Sequence, residues 1–384
     1  MTPIAPMPAA AAQGVPDPAP DRAFAAAQAF LVSAKSFWTT ELFPALRGEY
    51  ETARDPVAAE TPATVAASLT DSTLYRYFSW LERHMQKMKY SGRYGLVNWQ
   101  ERHRRALEAS LDASVALDPT LDLPRYYVSV DIHQHPGGVW SDALAGFVYE
   151  RGARSTTPLA AGRHTDLHQR FTDLVARTVA ASSILDLGCG FGKSTRPFCV
   201  AFPAARIEGV DLAAPCLQLA AKMGADLGLD NARFRQADAA HTGSASGAFD
   251  LVTSTMLLHE LPPQAIKQVL AESARVLAPG GWMFHLDFLP AAQPRNDAFM
   301  HFIHSGHARR NNEPFMQPLT QLDLPAQLQA LGFDEIALLP FEEADGVLAP
   351  DYPHWRFPWT VIRARKALPD QPHDGRATTP RDTP

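Results

Sequence analysis

Two hydrophobic periods divide the chain. From residue 21 to about residue 117, apolar side chains recur every three or four positions, as on one face of a helix. From residue 182 onward, short continuous apolar runs alternate with helical stretches. In the first half Asp21 is placed to cap a helix that carries Phe24, Phe30, Leu31 and Phe37 toward a core, and Pro44 ends or kinks it. Pro56 and Pro62 bound a linker, after which Asp71 caps a helix over 72–89 with Leu74, Tyr77, Phe78, Leu81, Met85 and Met88 at helical spacing. A third helix is expected over 98–117. Residues 126–133 alternate like a strand broken by Pro136-Gly137-Gly138, 140–154 read as a loop or lid, and 166–179 form an amphipathic helix.

In the second half, runs at 182–187, 206–210, 232–236, 249–255, 282–288, 333–339 and 357–365 predict seven strands. Helices lie between them, one with Pro215 in its first turn, one opened by Pro262-Pro263, and one over 322–331. Strands alternating with helices predict a doubly wound α/β sheet, here preceded by a mainly helical region.

The loop after the first strand carries the chemistry. Gly188, Gly190 and Gly192 follow the strand directly and precede a helix, so the backbone turns sharply and a ligand can approach helix N–H groups unobstructed. The spacing is Gly-x-Gly-x-Gly, with Asp186 two residues ahead, and lacks the extra position that makes room for a pyrophosphate. Asp211 ends the second strand 19 residues after Gly192, an offset suited to accepting hydrogen bonds from two ribose hydroxyls. Asp238, followed by Ala239, ends the third strand. One acidic residue alone would read as solvated surface; three after three successive strands form a pattern.

The stretch Asp186-Leu-Gly-Cys-Gly-Phe-Gly192 resembles motif I of the class I S-adenosylmethionine-dependent methyltransferases. Phe249-Asp-Leu-Val252, Leu258-His-Glu-Leu261 and Arg275-Val-Leu-Ala-Pro-Gly-Gly281 resemble later motifs of that family. The resemblance covers about 165–368 and implies a Rossmann-like seven-stranded sheet, six strands parallel and the last antiparallel. It implies S-adenosyl-L-methionine as cofactor, held by Asp186, Gly188, Gly190, Gly192, Asp211, Leu212, Asp238, Ala239 and Thr255. In the family Asp186 would hold the methionine amino group, and Asp238 with the next amide would meet the adenine.

Candidate groups for chemistry on an acceptor flank that site. His259, beside Glu260 at the end of the fourth strand, is the expected catalytic base, because imidazole titrates near neutrality. His285 and Asp287 share one face of the fifth strand and are expected at the substrate, Asp287 orienting it. An insertion, 290–318, holds His301, His304 and His307 every third residue on a helix starting near Asn296; His301 and His304 are expected at the acceptor, and the alternative is a solvated face. Asp131, His133 and His135 have the spacing of a metal-binding strand, but mutual hydrogen bonding or a substrate lid is preferred, and no metal is expected.

Composition sets the remaining limits. Of 384 residues 46% are hydrophobic and 20% charged, with net charge −6, so a nucleic-acid surface is not the main feature. Basic residues between Arg76 and Arg105 interleave with Tyr75, Tyr77, Trp80, Tyr90, Tyr94 and Trp99; the preferred reading is helices with inward aromatics and solvated arginines. Three cysteines, Cys189, Cys199 and Cys216, fall in the segment around the glycine loop with no regular framework or Cys-x-x-Cys pair, which suits a reducing cytoplasm. No apolar run approaches the ~20 residues of a membrane span, so no membrane partner is expected. Ala/Pro-rich residues 1–20 and polar residues 369–384 read as disordered tails flanking a helical substrate-lid or dimerisation region (21–164) and a methyltransferase domain (165–368). The expected function is methyl transfer to O or N of a small molecule, with a homodimer possible. Two alternatives stand beside it: an RNA methyltransferase or RNA-binding protein using the N-terminal helices, and a nicotinamide-dependent oxidoreductase.

Overall fold

The structure, a computed structural model, describes residues 21–111, 115–154, 167–293, 297–349 and 351–369. The tails expected at 1–20 and beyond 369 lie outside the described residues, as do Thr165, Asp166 and Asn296.

The N-terminal region is helical. Helix α1 (Arg22–Phe37) is capped by Asp21, whose carboxylate accepts from the Ala23 and Phe24 amides at 3.1 Å. A π-helical turn, Trp38–Leu42, passes into α2 (Phe43–Ala53) with Pro44 in its first turn, so the expected break is a widened turn. Helix α3 (Pro62–Ser68) starts on a Thr61 capping box. Helix α4 (Thr73–Tyr90) is capped by Ser72, whose Oγ accepts from the Tyr75 amide at 2.9 Å; Asp71 sits one residue too early to cap it. Helix α5 (Leu96–Glu108) stops short of residue 117, because Ala116 makes a parallel bridge to Arg235 at the sheet edge instead. Phe30 and Phe37 do not enter a core. They are 58% and 46% exposed, while Phe24, Leu31 and Trp38, seven residues apart, form the buried stripe of this helical run.

Two further expectations fail here. Residues 126–133 form no strand: a short helix, α6 (Arg125–Val128), leads to a 3-10 turn, Ile132–Gln134. His133 and Gln134 both take φ +56, a left-handed backbone that cannot continue a ladder. Residues 140–154 are not simply a lid, since α7 (Ala145–Ala153) is a regular helix, buried along most of its length.

The expected sheet is present. After α8 (Leu167–Thr178) come β1 (Ser183–Leu187), α9 (Thr195–Ala201), β2 (Arg206–Asp211), α10 (Ala214–Asp226), β3 (Ala232–Gln236), β4 (Phe249–Thr255), α11 (Pro263–Val276) and β5 (Leu277–Phe288). The insertion supplies α12 (Ala298–Arg310) and α13 (Met316–Leu319), then α14 (Leu324–Ala330), β6 (Phe333–Pro340) and β7 (Trp359–Lys366) close the fold. The strand order is β3-β2-β1-β4-β5-β7-β6, with β7 antiparallel to both its neighbours. The central strands carry near-continuous apolar side chains because each face is covered, one by α11 and α14, the other by α8 and α9. Strand order reverses between β1 and β4, which opens a crevice at their carboxyl ends.

The helical region roofs that crevice and shares its cores with the sheet domain. Leu31, Trp38, Phe78 and Met85 pack with Phe299 and Ile303 of α12. Phe24, Trp99 and Phe147 pack with Phe191, Leu219 and Met223. Gly146 of α7 lies against α10 so closely that a Cβ there would stand 2.4 Å from the Pro215 carbonyl oxygen.

Candidate active site

Between the strand ends and the helical roof lies a cavity of about 790 Å³, a size that suits one or two small molecules. One side of it is the glycine loop. Gly188 takes φ +65, and a Cβ there would stand 2.8 Å from Leu257 Cδ1, so only glycine fits without displacement. The Gly190 amide, at the cavity surface, donates to Asp211 Oδ2 at 2.8 Å, while Asp211 Oδ1 accepts from the Ala213 amide at 2.8 Å. One carboxylate thus ties the first loop to the second. Burial pushes its pKa up to about 6, against those two amides. Leu212, Asp238, Ala239 and Thr255 complete this side of the lining, and Thr255 Oγ1 is buried with no hydrogen-bond partner among the described residues.

Two predicted residues stand behind the loop and do not line the cavity. Asp186 is 1% exposed and accepts from Ser194 Oγ and Thr195 Oγ1, each at 2.7 Å. Those hydroxyls come from the start of the following helix, so Asp186 braces the loop from beneath, and burial raises its pKa to about 6. Gly192, at φ +74, packs against Ala220 and Phe234.

Comparison with known proteins identifies the domain that carries this site. A family model described as a methyltransferase domain matches residues 184–281, from β1 into β5. The chain carries a class I S-adenosylmethionine-dependent methyltransferase domain. It is 32% identical to the nocamycin O-methyltransferase of Saccharothrix syringae over 36% of this chain and 46% of that protein. It is 35% identical to the demethylmenaquinone methyltransferase of Thermus thermophilus over 34% of this chain and 58% of that one. The chain therefore spans about half the length of these curated relatives. A solved structure of Haemonchus contortus phosphoethanolamine N-methyltransferase 2 with S-adenosyl-L-methionine aligns over 59% of this chain and 58% of that chain, at 14% identity and TM-score 0.41.

On the other side of the cavity in this methyltransferase domain stands His259, on a 3-10 turn just beyond β4. Its Nδ1 donates to Asp287 Oδ1 at 2.8 Å, and Asp287, completely buried, also accepts from the Leu258 amide at 2.6 Å and the Phe288 amide at 2.8 Å. Burial lowers the imidazole's affinity for a proton, but the Asp287 charge and hydrogen bond outweigh it, and the His259 pKa is raised. Asp287 therefore orients His259 and does not line the cavity. His285 is equally sealed: its Nδ1 lies 2.6 Å from Ser254 Oγ, and burial pushes it down to about 4.

The insertion histidines divide. His304 is buried away from the cavity, donating from Nε2 to the Arg356 carbonyl at 3.1 Å, and burial lowers its pKa to about 4. His301 does not line the cavity either. His307 does, and its Nδ1 lies 2.5 Å from Glu82 Oε1 of the roof. A helix places every third residue at steps of about 300°, so three such histidines fan across a face and only one meets the crevice.

The roof brings groups that sequence reasoning did not join. His133 reaches Glu260 Oε1 at 2.8 Å through Nε2 and Glu313 Oε1 at 3.2 Å through Nδ1, across 127 and 180 residues of chain. Burial opposes its charge, yet the two carboxylates hold its pKa up at about 10. Tyr126, Tyr127 and Tyr149 also line the cavity. Tyr149 lies parallel to the His133 ring at 6.2 Å and edge-on to Phe191 of the glycine loop at 5.6 Å. Leu144, Phe147, Val148 and Arg151 recur at helical spacing, a signal that could have revealed α7; nothing local in the sequence marks the His133 pairing. His135 turns elsewhere, edge-on to Tyr90 at 5.2 Å, so the Asp131-x-His-x-His spacing gives no shared face. Among the described residues no group of three or more His, Cys, Asp or Glu is arranged to hold a metal, and no helix is long and apolar enough to cross a membrane.

Proposed function

We propose that the chain transfers a methyl group from S-adenosyl-L-methionine to an oxygen or nitrogen of a small-molecule acceptor enclosed beneath the helical roof. The observation that carries this reading is the joining of Asp211 to the Gly190 amide at one side of a cavity whose other side presents an Asp287-oriented imidazole.

The residues present fit the cofactor. Gly188 and Gly190 leave backbone where a side chain would fill the cradle, and Thr255 Oγ1 is a buried hydroxyl lacking a partner among the described residues. Asp211 would receive the ribose hydroxyls, Asp238 and Ala239 the adenine, and Thr255 and the glycine loop the amino-acid end. Asp186 and Gly192 act one layer back, by holding the loop in shape. When bound, the cofactor supplies a methyl group on a sulfonium with a neutral leaving group.

The chain's own residues then position and deprotonate. Because Asp287 accepts the Nδ1 proton, the lone pair of neutral His259 sits on Nε2, which has no hydrogen-bond partner among the described residues. His259 is the residue that takes the acceptor's proton, and the stabilised imidazolium is held by Asp287. The roof tyrosines and the His133 clamp keep bulk water out and fix the acceptor's distance from the cofactor side. Residues 21–164 are on this reading the substrate-covering region.

Isothermal titration should give binding of S-adenosyl-L-methionine and S-adenosylhomocysteine that Asp211→Ala weakens at least tenfold. His259→Ala should keep that binding and stop release of S-adenosylhomocysteine in the presence of an acceptor selected from a pool of phenols, enols and amines. Absence of binding by the unaltered chain would refute the proposal.

A further inference from the structure

The other side of the roof faces solvent with an unusual composition. Helices α1 and α4 pack side by side, joined by Trp38 Nε1 donating to the Phe78 carbonyl at 3.0 Å. Their inward surfaces contribute Lys35, Met85 and Gln86 to the cavity wall, with Trp38 of the turn after α1. Outward, α1 shows Phe30 and Phe37, and α4 shows a stripe of Tyr77, Trp80, His84 and Met88 at spacings of three, four and four. Trp80 is 54% exposed, and Tyr94, just beyond α4, is also exposed. Its carbonyl accepts from Gln28 Nε2 of α1 at 3.3 Å.

Charge separates this face from the rest of the chain. Net charge overall is −6, yet residues 22–40 contain no acidic residue, and residues 72–100 contain only Glu82. Glu82 points inward, buried and paired with Arg310 and His307. Outside remain Arg76, Arg83, Lys87 and Arg93; of these only Arg76 has an ion pair among the described residues, with Asp71 at 3.4 Å. The exposed surface is thus aromatic and cationic, on a protein that is acidic as a whole.

We infer that the outer face of α1 and α4 docks this protein peripherally on an anionic lipid bilayer. Phe, Trp and Met edges suit the boundary between headgroups and acyl chains, and the flanking arginines and lysine suit lipid phosphates. A single-stranded nucleic acid fits less well, because base stacking needs open ring faces. Trp80 already stacks on His84 at 4.4 Å and on Tyr77 at 6.2 Å, so its edge, more than its faces, meets solvent. A second copy of the chain fits less well too, since residues 22–40 and 72–100 expose no acidic side chain to meet the Arg83 and Lys87 of the other copy. The docked face is also the back of the cavity wall, which places the site close to the bilayer surface.

The full chain should co-sediment at low ionic strength with 100-nm vesicles containing phosphatidylglycerol and not with pure phosphatidylcholine vesicles. Arg83→Glu with Lys87→Glu, and separately Trp80→Ala with Phe30→Ala, should each lower the partition coefficient at least about tenfold, a cation near the surface being worth about fivefold. Both variants alter exposed side chains, so circular dichroism and S-adenosylhomocysteine titration should match the unaltered chain. The inference is overturned by no retention on anionic vesicles, by retention unchanged in both variants, by a 30-nucleotide RNA that binds and competes the vesicles off, or by sedimentation equilibrium showing a dimer that Trp80→Ala with Phe30→Ala dissolves.

Discussion

Replacing Asp287 by Asn tests the proposed chemistry at its least redundant point. The carboxylate accepts three hydrogen bonds: the Leu258 amide on Oδ2, and the Phe288 amide and His259 Nδ1 on Oδ1. An Asn of the same shape has one oxygen for these three donors. If its amide nitrogen takes the Oδ2 position, it faces the Leu258 N–H, donor against donor. If it takes the Oδ1 position, it faces the Phe288 N–H and forces His259 into the tautomer whose Nε2 bears the proton. Either way one backbone donor is orphaned in a fully buried site, at a cost of about 1–3 kcal/mol of stability, and the charge that raises the His259 pKa is gone. Burial is then opposed only by the weaker pull of the Glu313 and Glu260 charges, so the imidazole pKa should fall below its value in the unaltered protein, readable by NMR titration of labelled histidine without any acceptor. Turnover should fall by about 10² or more, the contribution of a positioned general base. The rate should rise with pH through the His259 titration, because the neutral ring is the active form. Since that pKa is raised above 6.5, the limb lies above 6.5 in the unaltered enzyme and moves to lower pH in Asp287→Asn. Cofactor affinity should not change. A variant that kept both the imidazole pKa and the turnover would refute the dyad.

Gly188→Ala combines a left-handed φ of +65 with a Cβ 2.8 Å from Leu257; it should cost about 1–2 kcal/mol of stability and abolish cofactor binding in the same calorimeter cell. His133→Ala leaves Glu260 and Glu313 without their shared cation; with one partner of a buried network removed, denaturant unfolding should show a loss of about 3–5 kcal/mol. The pH dependence of that loss has a definite sign. His133, raised from 6.5 to about 10, contributes fully below pH 6.5 and loses its contribution as pH rises toward 10. Glu313, lowered from 4.5 to about 2, contributes above 4.5 and loses its contribution as pH falls toward 2. The difference between His133→Ala and the unaltered protein should therefore be greatest between about pH 4.5 and 6.5 and shrink on both sides, as followed by unfolding midpoints.

Apolar runs and turn residues were enough to place the sheet and the glycine and acidic loops at its strand ends. The strand runs could be read because a doubly covered parallel sheet needs continuous apolar segments, and Gly188, Gly190 and Asp211 could be read because a turn and its offset are local geometry. How the groups around that loop are shared out follows from packing between distant segments. The motif resemblance implied a cofactor contact for Asp186 and the strand position of Asp287 a substrate contact, yet the fold turns each toward a neighbouring hydroxyl, amide or imidazole; burial demands such partners, and spacing does not reveal them. His304 and His307 carry the same spacing and meet different environments, because α12 has the roof on one side and the sheet on the other. The His133 clamp joins residues 127 and 180 positions apart and stands on a left-handed turn where the alternation of 126–133 suggested a strand. Contacts of that length are set by how the helical region closes over the strand ends, which no local pattern encodes.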